Sequence, residues 1–290
     1  MGLDAKNLIL RATSGILYVA LIVFTLVCKN PLYYTLLFSF FTGVMIIEYN
    51  LLTKENRTTP FRTTLDVLAS VGMVWAFFFF YSGDENNQRI GFSLIIFYLF
   101  YLFYVIVRTI FSDINASAVR SIGSVLLGQL YITLPVVLSL FYIQHVGAFF
   151  VLFIFIILWV NDTSAYLVGS LLGRHKLYPA VSPKKSVEGL IGGLLLSVVI
   201  GGLMGYYAQE IGSAYLMNLE NTRVGQSLFM AILALAIAVL GSLGDLFESV
   251  LKRQAKVKDS GHLIPGHGGV LDRLDSFLFA VYALVFLLLC

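Results

Sequence analysis

The chain has 290 residues, 59% of them apolar and 12% charged, with a mean hydropathy of +0.88 and a formal net charge of +3. A soluble domain carries about twice that charged fraction, so water is not the main solvent of this protein. The small net charge gives no ground for a nucleic-acid ligand or a strongly acidic partner.

Apolar runs recur at 12–28, 32–52, 67–82, 90–107, 122–143, 146–172, 190–208, 228–246 and 270–290. A helix needs roughly 20 residues to cross about 30 Å of hydrocarbon, and the runs are continuous rather than alternating as in a membrane barrel. They predict an all-α polytopic integral membrane protein with about nine transmembrane helices. The basic segment at 1–11 looks like a signal flank, but no small-residue cleavage site follows, and the first run is expected to stay as an uncleaved helix.

Nine spans sort the polar segments onto two sides. One side collects Lys6, Arg11, Lys54, Arg57, Arg62, Arg108, Arg120, Arg174, Lys176, Lys184, Lys185, Lys252, Arg253, Lys256, Lys258 and Arg273, sixteen of the nineteen basic residues, and the other only Lys29, Arg89 and Arg223. The positive-inside rule makes the richer side cytoplasmic, which puts the N-terminus inside and Cys290 outside. With no long linker, low-complexity tract or tandem repeat, 1–290 is expected as one membrane domain, divided into hydrophobic N-terminal helices at 1–145 and a chemistry-bearing half at 146–290.

Ionised groups inside a bilayer are costly and ask for a reason. Asp162 lies in the sixth run, Asp245 at the inner end of the eighth, and Asp272 and Asp275 in the first turns of the ninth. If the eighth helix continues past its apolar run, Asp245, Ser249, Lys252 and Lys256 share one face, and Asp272 and Asp275 share a face of the next. Carboxylates beside cations suit a site that takes Mg²⁺ through oxygen ligands and polyphosphate through Lys and Arg. Mutual charge neutralisation is the plainer alternative.

Two inner loops, 173–189 and 247–269, carry the densest basic charge. Ser182-Pro-Lys-Lys-Ser186 reads as a phosphate-facing turn or as a topology determinant touching anionic headgroups. In Ile264-Pro-Gly-His-Gly-Gly269, glycines free the backbone to aim N–H groups at an anion where the ninth helix begins, beside His267 and Arg273. The seventh run has Gly189, Gly193, Gly201 and Gly205, spaced for close helix packing. Cys28 and Cys290 form no motif, and His145, His175 and His262 are scattered. No P-loop, GxGxxG, HExxH or GxSxG is present.

The 27-residue stretch from Ser249 to Asp275 resembles the diagnostic pattern of the phosphatidate cytidylyltransferases, or CDP-diacylglycerol synthases. It matches at Lys252, Arg253, Lys258, Asp259, His267, Gly268, Gly269, Asp272, Arg273 and Asp275. The stretches 162–173 and 182–189, the latter with Glu188, resemble a second block of that family. The resemblance implies a CTP- and phosphatidic acid-using nucleotidyltransferase of the bacterial inner membrane, working at the cytoplasmic face with Mg²⁺ as a homodimer; a second cation stays open. By resemblance Asp245, Asp272 and Asp275 are metal ligands. Ser249, Lys252, Arg253, Lys258, Asp259, His267 and Arg273 carry the chemistry, and Asp162, Ser182, Lys184, Lys185, Ser186, Glu188, Gly268 and Gly269 bind substrate. The competing readings are a CTP-dependent enzyme on another lipid phosphate or polyprenol, and a secondary transporter.

Overall fold

The computed structural model describes residues 5–28, 30–53, 59–111, 117–208, 222–266 and 268–288. Lys29, Lys54, Arg57, His267 and Cys290, which the sequence argument uses, lie outside these. Among the described residues seven helices are long and apolar enough to cross a membrane, and a shorter apolar helix, Thr13–Val27, precedes them. The protein is therefore an all-α membrane protein. Satisfying every backbone polar group inside the segment is what makes the helix the viable spanning form.

The chain folds as two compact units, one of residues 1–144 and 254–273, the other of 145–253 and 274–290. The first contains α1 (Ala5–Val27), α2 (Pro31–Thr53), α3 (Pro60–Phe80), α4 (Glu85–Val107) and α5 (Ala118–Gly128), which passes through a π turn (Gln129–Thr133) into α6 (Leu134–His145). Thr59 caps α3 by accepting from the Arg62 N–H, and Pro60 fills the first turn, where its missing N–H costs nothing. Phe38, Met45 and Tyr49 of α2 are buried, as are Ile132 of the π turn and Val136 and Leu140 of α6.

This core also buries polar groups that bond to one another. Asp66 accepts from Asn50 Nδ2 at 3.0 Å and from the Tyr101 hydroxyl at 2.7 Å. Gln129 Oε1, turned inward by the π turn, accepts from Thr133 at 2.8 Å and Tyr98 at 3.2 Å. A buried polar group without such bonds costs several kcal/mol in hydrocarbon, about what a pair of well-placed donors restores.

The second unit contains α7 (Ala148–Leu172), an antiparallel hairpin of β1 (Lys176–Tyr178) and β2 (Ser182–Ser186), α8 (Val187–Tyr206), α9 (Arg223–Gln254) and α10 (Leu271–Ala280) from Leu274 onward, then a 3₁₀ segment, Val281–Leu288. The basic stretch expected as a turn is thus the second strand of a hairpin. Glycines decide how α8 packs. A Cβ at Gly189 would lie 2.7 Å from the Ala165 carbonyl, and one at Gly193 2.6 Å from Asn161 Oδ1, both on α7; one at Gly201 would lie 2.8 Å from the Met230 carbonyl on α9. All are inside the closest approach of real side chains, so these are contact points for neighbouring helices. Gly201→Leu is expected to destabilise the protein by about 1–3 kcal/mol through overpacking. A lowered thermal midpoint in detergent, with helix content retained, checks it.

Candidate active site

In the second unit α9 runs to Gln254, well past its apolar run, so Ser249 and Lys252 follow Asp245 on the helix as the spacing requires. Lys256 does not: it lies beyond the helix end with φ of 56°, and the expected stripe stops at Lys252. Left-handed backbone breaks the helical register, so spacing counted along the sequence loses its meaning there.

A cavity of about 390 Å³ opens in this unit, lined by Asp162 and Tyr166 of α7, Lys184, Lys185 and Ser186 of the hairpin, and Asp245 of α9, with Asn161 and Ser242 beside them. Its lining also includes the apolar residues Ala165, Leu177 and Leu190. Local folding explains this gathering. The hairpin returns the chain to the start of α8, where Ser186 caps the helix by accepting from the Gly189 N–H at 3.1 Å. The two lysines put positive charge on one rim. Lys185 forms an ion pair with Asp245, whose Oδ1 also accepts from Ser249 at 3.3 Å.

Glu188, expected at the substrate, instead closes the hairpin: it accepts from the Arg174 N–H at 3.1 Å, from the His175 N–H at 3.2 Å, and meets the His175 ring at 2.6 Å. It is not among the residues lining the cavity. Arg253 likewise works on the hairpin, its Nε donating to the Val181 carbonyl at 3.1 Å. Ser182 opens β2 opposite Tyr178.

Gly244 lets α9 approach the Asp275 backbone, where a Cβ would lie 2.5 Å from the Asp275 carbonyl. Asp275 is thereby brought under the electrostatic influence of both Asp245 and Lys252. Lys252 Nζ lies 2.5 Å from Glu248 Oε2, and the Glu248 side chain is wholly buried. Among the described residues no three His, Cys, Asp or Glu side chains converge as a metal set. Mg²⁺ is commonly held by one or two carboxylates together with water and substrate phosphates rather than by an all-protein cage. Asp245 and Asp275, two neighbouring acids, have the chemistry such a site would need.

The loop before α10 belongs to the first unit and is organised around acids. Asp272 Oδ2 accepts from Ser260 N at 2.8 Å, Ser260 Oγ at 2.9 Å and Gly269 N at 2.8 Å. Glu48 of α2, 4% exposed, accepts from Val270 N at 3.1 Å and Leu271 N at 2.8 Å. The N–H groups of Ser260, Gly269, Val270 and Leu271 are therefore directed at the chain's own carboxylates. Gly268 takes φ of 87°, and a Cβ there would lie 2.7 Å from Asp272 Oδ2. Lys258, Asp259 and Arg273 are exposed.

Sequence reasoning missed Glu48, Ser260, Asn161, Tyr166 and Ser242. Glu48 had a signal, since an acid within the second apolar run is as costly as those in the sixth and eighth. The others are ordinary residues whose position alone makes them notable.

The profile of a family described as the cytidylyltransferase family matches residues 9–290. A phosphatidate cytidylyltransferase of Staphylococcus saprophyticus is 34% identical over 205 residues, 70% of this chain and 71% of that protein. Proteins of the same name from Staphylococcus haemolyticus and Staphylococcus aureus are 40% and 41% identical over 143 residues, each alignment covering 49% of this chain and 50% of the relative.

Proposed function

We propose, for a chain that belongs to the cytidylyltransferase family, that it condenses CTP with phosphatidate to give CDP-diacylglycerol and pyrophosphate, and that the cavity of the second unit is where the phosphates meet. The observation that carries the siting is the gathering of Asp162, Lys184, Lys185, Ser186 and Asp245 around one opening.

A phosphate oxygen of phosphatidate attacks the α-phosphorus of CTP; the new P–O bond forms as the bond to the β-phosphate breaks, and pyrophosphate leaves. The nucleophile needs little activation, because a phosphate monoester has its second pKa near 6. The barrier lies in bringing two polyanions together, and fixed positive charge aimed at the reacting phosphates is the remedy. Lys184 and Lys185 supply that charge here. The lysine paired with Asp245 is held in place before substrate arrives, so little reorganisation is needed on binding. Asp245 and Asp275 are the residues suited to hold Mg²⁺, which when bound neutralises charge on the phosphates and orients them. The apolar lining residues Ala165, Leu177 and Leu190 suit the lipid end of phosphatidate.

A diacyl substrate leaves the bilayer only at about 0.8 kcal/mol per CH₂, whereas CTP is water-soluble, so the reaction belongs at a membrane surface. The basic loops and the bacterial relatives support the cytoplasmic face of a plasma membrane. A homodimer rests on likeness to the family alone.

Purified protein in mixed micelles with phosphatidic acid, Mg²⁺ and CTP labelled at the α-phosphorus is expected to move that label into lipid, with one pyrophosphate released per lipid. Transfer of a γ-label instead would replace the reading with a CTP-dependent lipid kinase, and absence of both products would end it.

A further inference from the structure

The acid on α2 has a geometry that its depth in the bilayer does not require. Its two oxygens face the Val270 and Leu271 N–H groups, which open α10 and have no partners within the helix. Ser260 Oγ stands between two carboxylates, 3.2 Å from Glu48 Oε2 and 2.9 Å from Asp272 Oδ2. Two glycines admit the carboxylate. A Cβ at Gly269 would lie 2.5 Å from Oε1 and 2.6 Å from Oε2, and one at Gly261 would lie 2.8 Å from the carboxylate carbon. The same segment is met by α1, where Ser14 donates to the Pro265 carbonyl and Tyr18 to the Arg273 carbonyl, each at 3.1 Å.

We infer that Glu48 is a positioning residue for the transfer reaction, docking the 259–271 loop onto the N-terminal helices and so fixing where Asp272 and Arg273 start α10. The inference rests on cytidylyl transfer as the proposed function and on the part in it that the family resemblance implies for those two residues. It gives the N-terminal helices a part in the chemistry. A carboxylate is needed because it accepts on both oxygens at once; an amide of the same shape presents one acceptor and turns a donor against a donor. The favourable field at a helix N-terminus adds to the requirement for negative charge.

The test is Glu48→Gln in the full-length protein, read by steady-state kinetics and by hydrogen exchange at residues 270 and 271. The expected result is kcat at least tenfold lower, KM for CTP and for phosphatidic acid within twofold of wild type, and exchange at Val270 and Leu271 at least tenfold faster. Glu48→Asp, which keeps the charge with a shorter reach, is expected to fall between. Exchange at the two amides unchanged from wild type, or accelerated exchange with kcat within twofold, would overturn the inference. If Glu48→Gln does not yield folded protein, Gly261→Ala drives a methyl group against the same carboxylate from the loop side, and wild-type kcat in that variant overturns the inference equally. A wild-type protein without cytidylyl transfer would fail the proposed function instead, while exchange at residues 270 and 271 still reports on the docking.

Discussion

Asp245→Asn is expected to lower cytidylyl transfer by about 10³-fold with the protein still inserted and folded. Two quantities separate these outcomes. The ion pair between Lys185 and Asp245 has both side chains about one-third exposed, at 33% and 32%, and such a pair contributes only about 0–1 kcal/mol to stability. The hydrogen bond from Ser249 survives, because the asparagine carbonyl replaces the oxygen it used. What disappears is the negative charge proposed to hold a divalent ion beside the cavity. CDP-diacylglycerol formation in reconstituted vesicles, with gel filtration and thermal unfolding as controls for folding, reads the result. Activity within tenfold of wild type would remove Asp245 from the metal site.

Lys252→Ala is expected to destabilise the protein by about 3–5 kcal/mol, which reverses the emphasis that the helix spacing suggests. Its ammonium group is 2.5 Å from a carboxylate on Glu248 whose side chain is wholly buried, so truncating the lysine removes the cation beside a charge with no access to water. Loss of activity in this variant alone would therefore say little about phosphate binding. The Glu248→Gln, Lys252→Ala double variant removes the buried charge and is expected to recover most of the stability while staying at least tenfold slower than wild type. A double variant that regains both stability and rate would show that Lys252 acts only as the partner of Glu248.

How much of this was legible beforehand differs from one element to the next. The spans at 32–52 and 146–172 are visible because burial in lipid demands a continuous apolar run, a signal that survives without any knowledge of neighbours. Gly189, Gly193 and Gly201 were legible as packing positions for the same reason: close helix approach in a membrane selects small residues at fixed spacing. Glu188 was legible as a charged residue near the chemistry, but its engagement with the His175 backbone depends on a hairpin that no periodicity announced. Lys256 was placed on a helical face by spacing, and a single left-handed residue took it off.

By itself the amino-acid sequence determined that the chain is an all-α membrane protein and that it belongs with the cytidylyltransferases. These are local properties, set by transfer free energy and by the identity of neighbouring residues. Only tertiary structure decided that Lys185 reaches Asp245 across 60 positions, or that Glu48 meets the start of a helix more than 220 positions away. Such pairings depend on which helices pack together. A lone acid in an apolar run announces that it needs a partner without saying which donors, brought from far along the chain, will provide it.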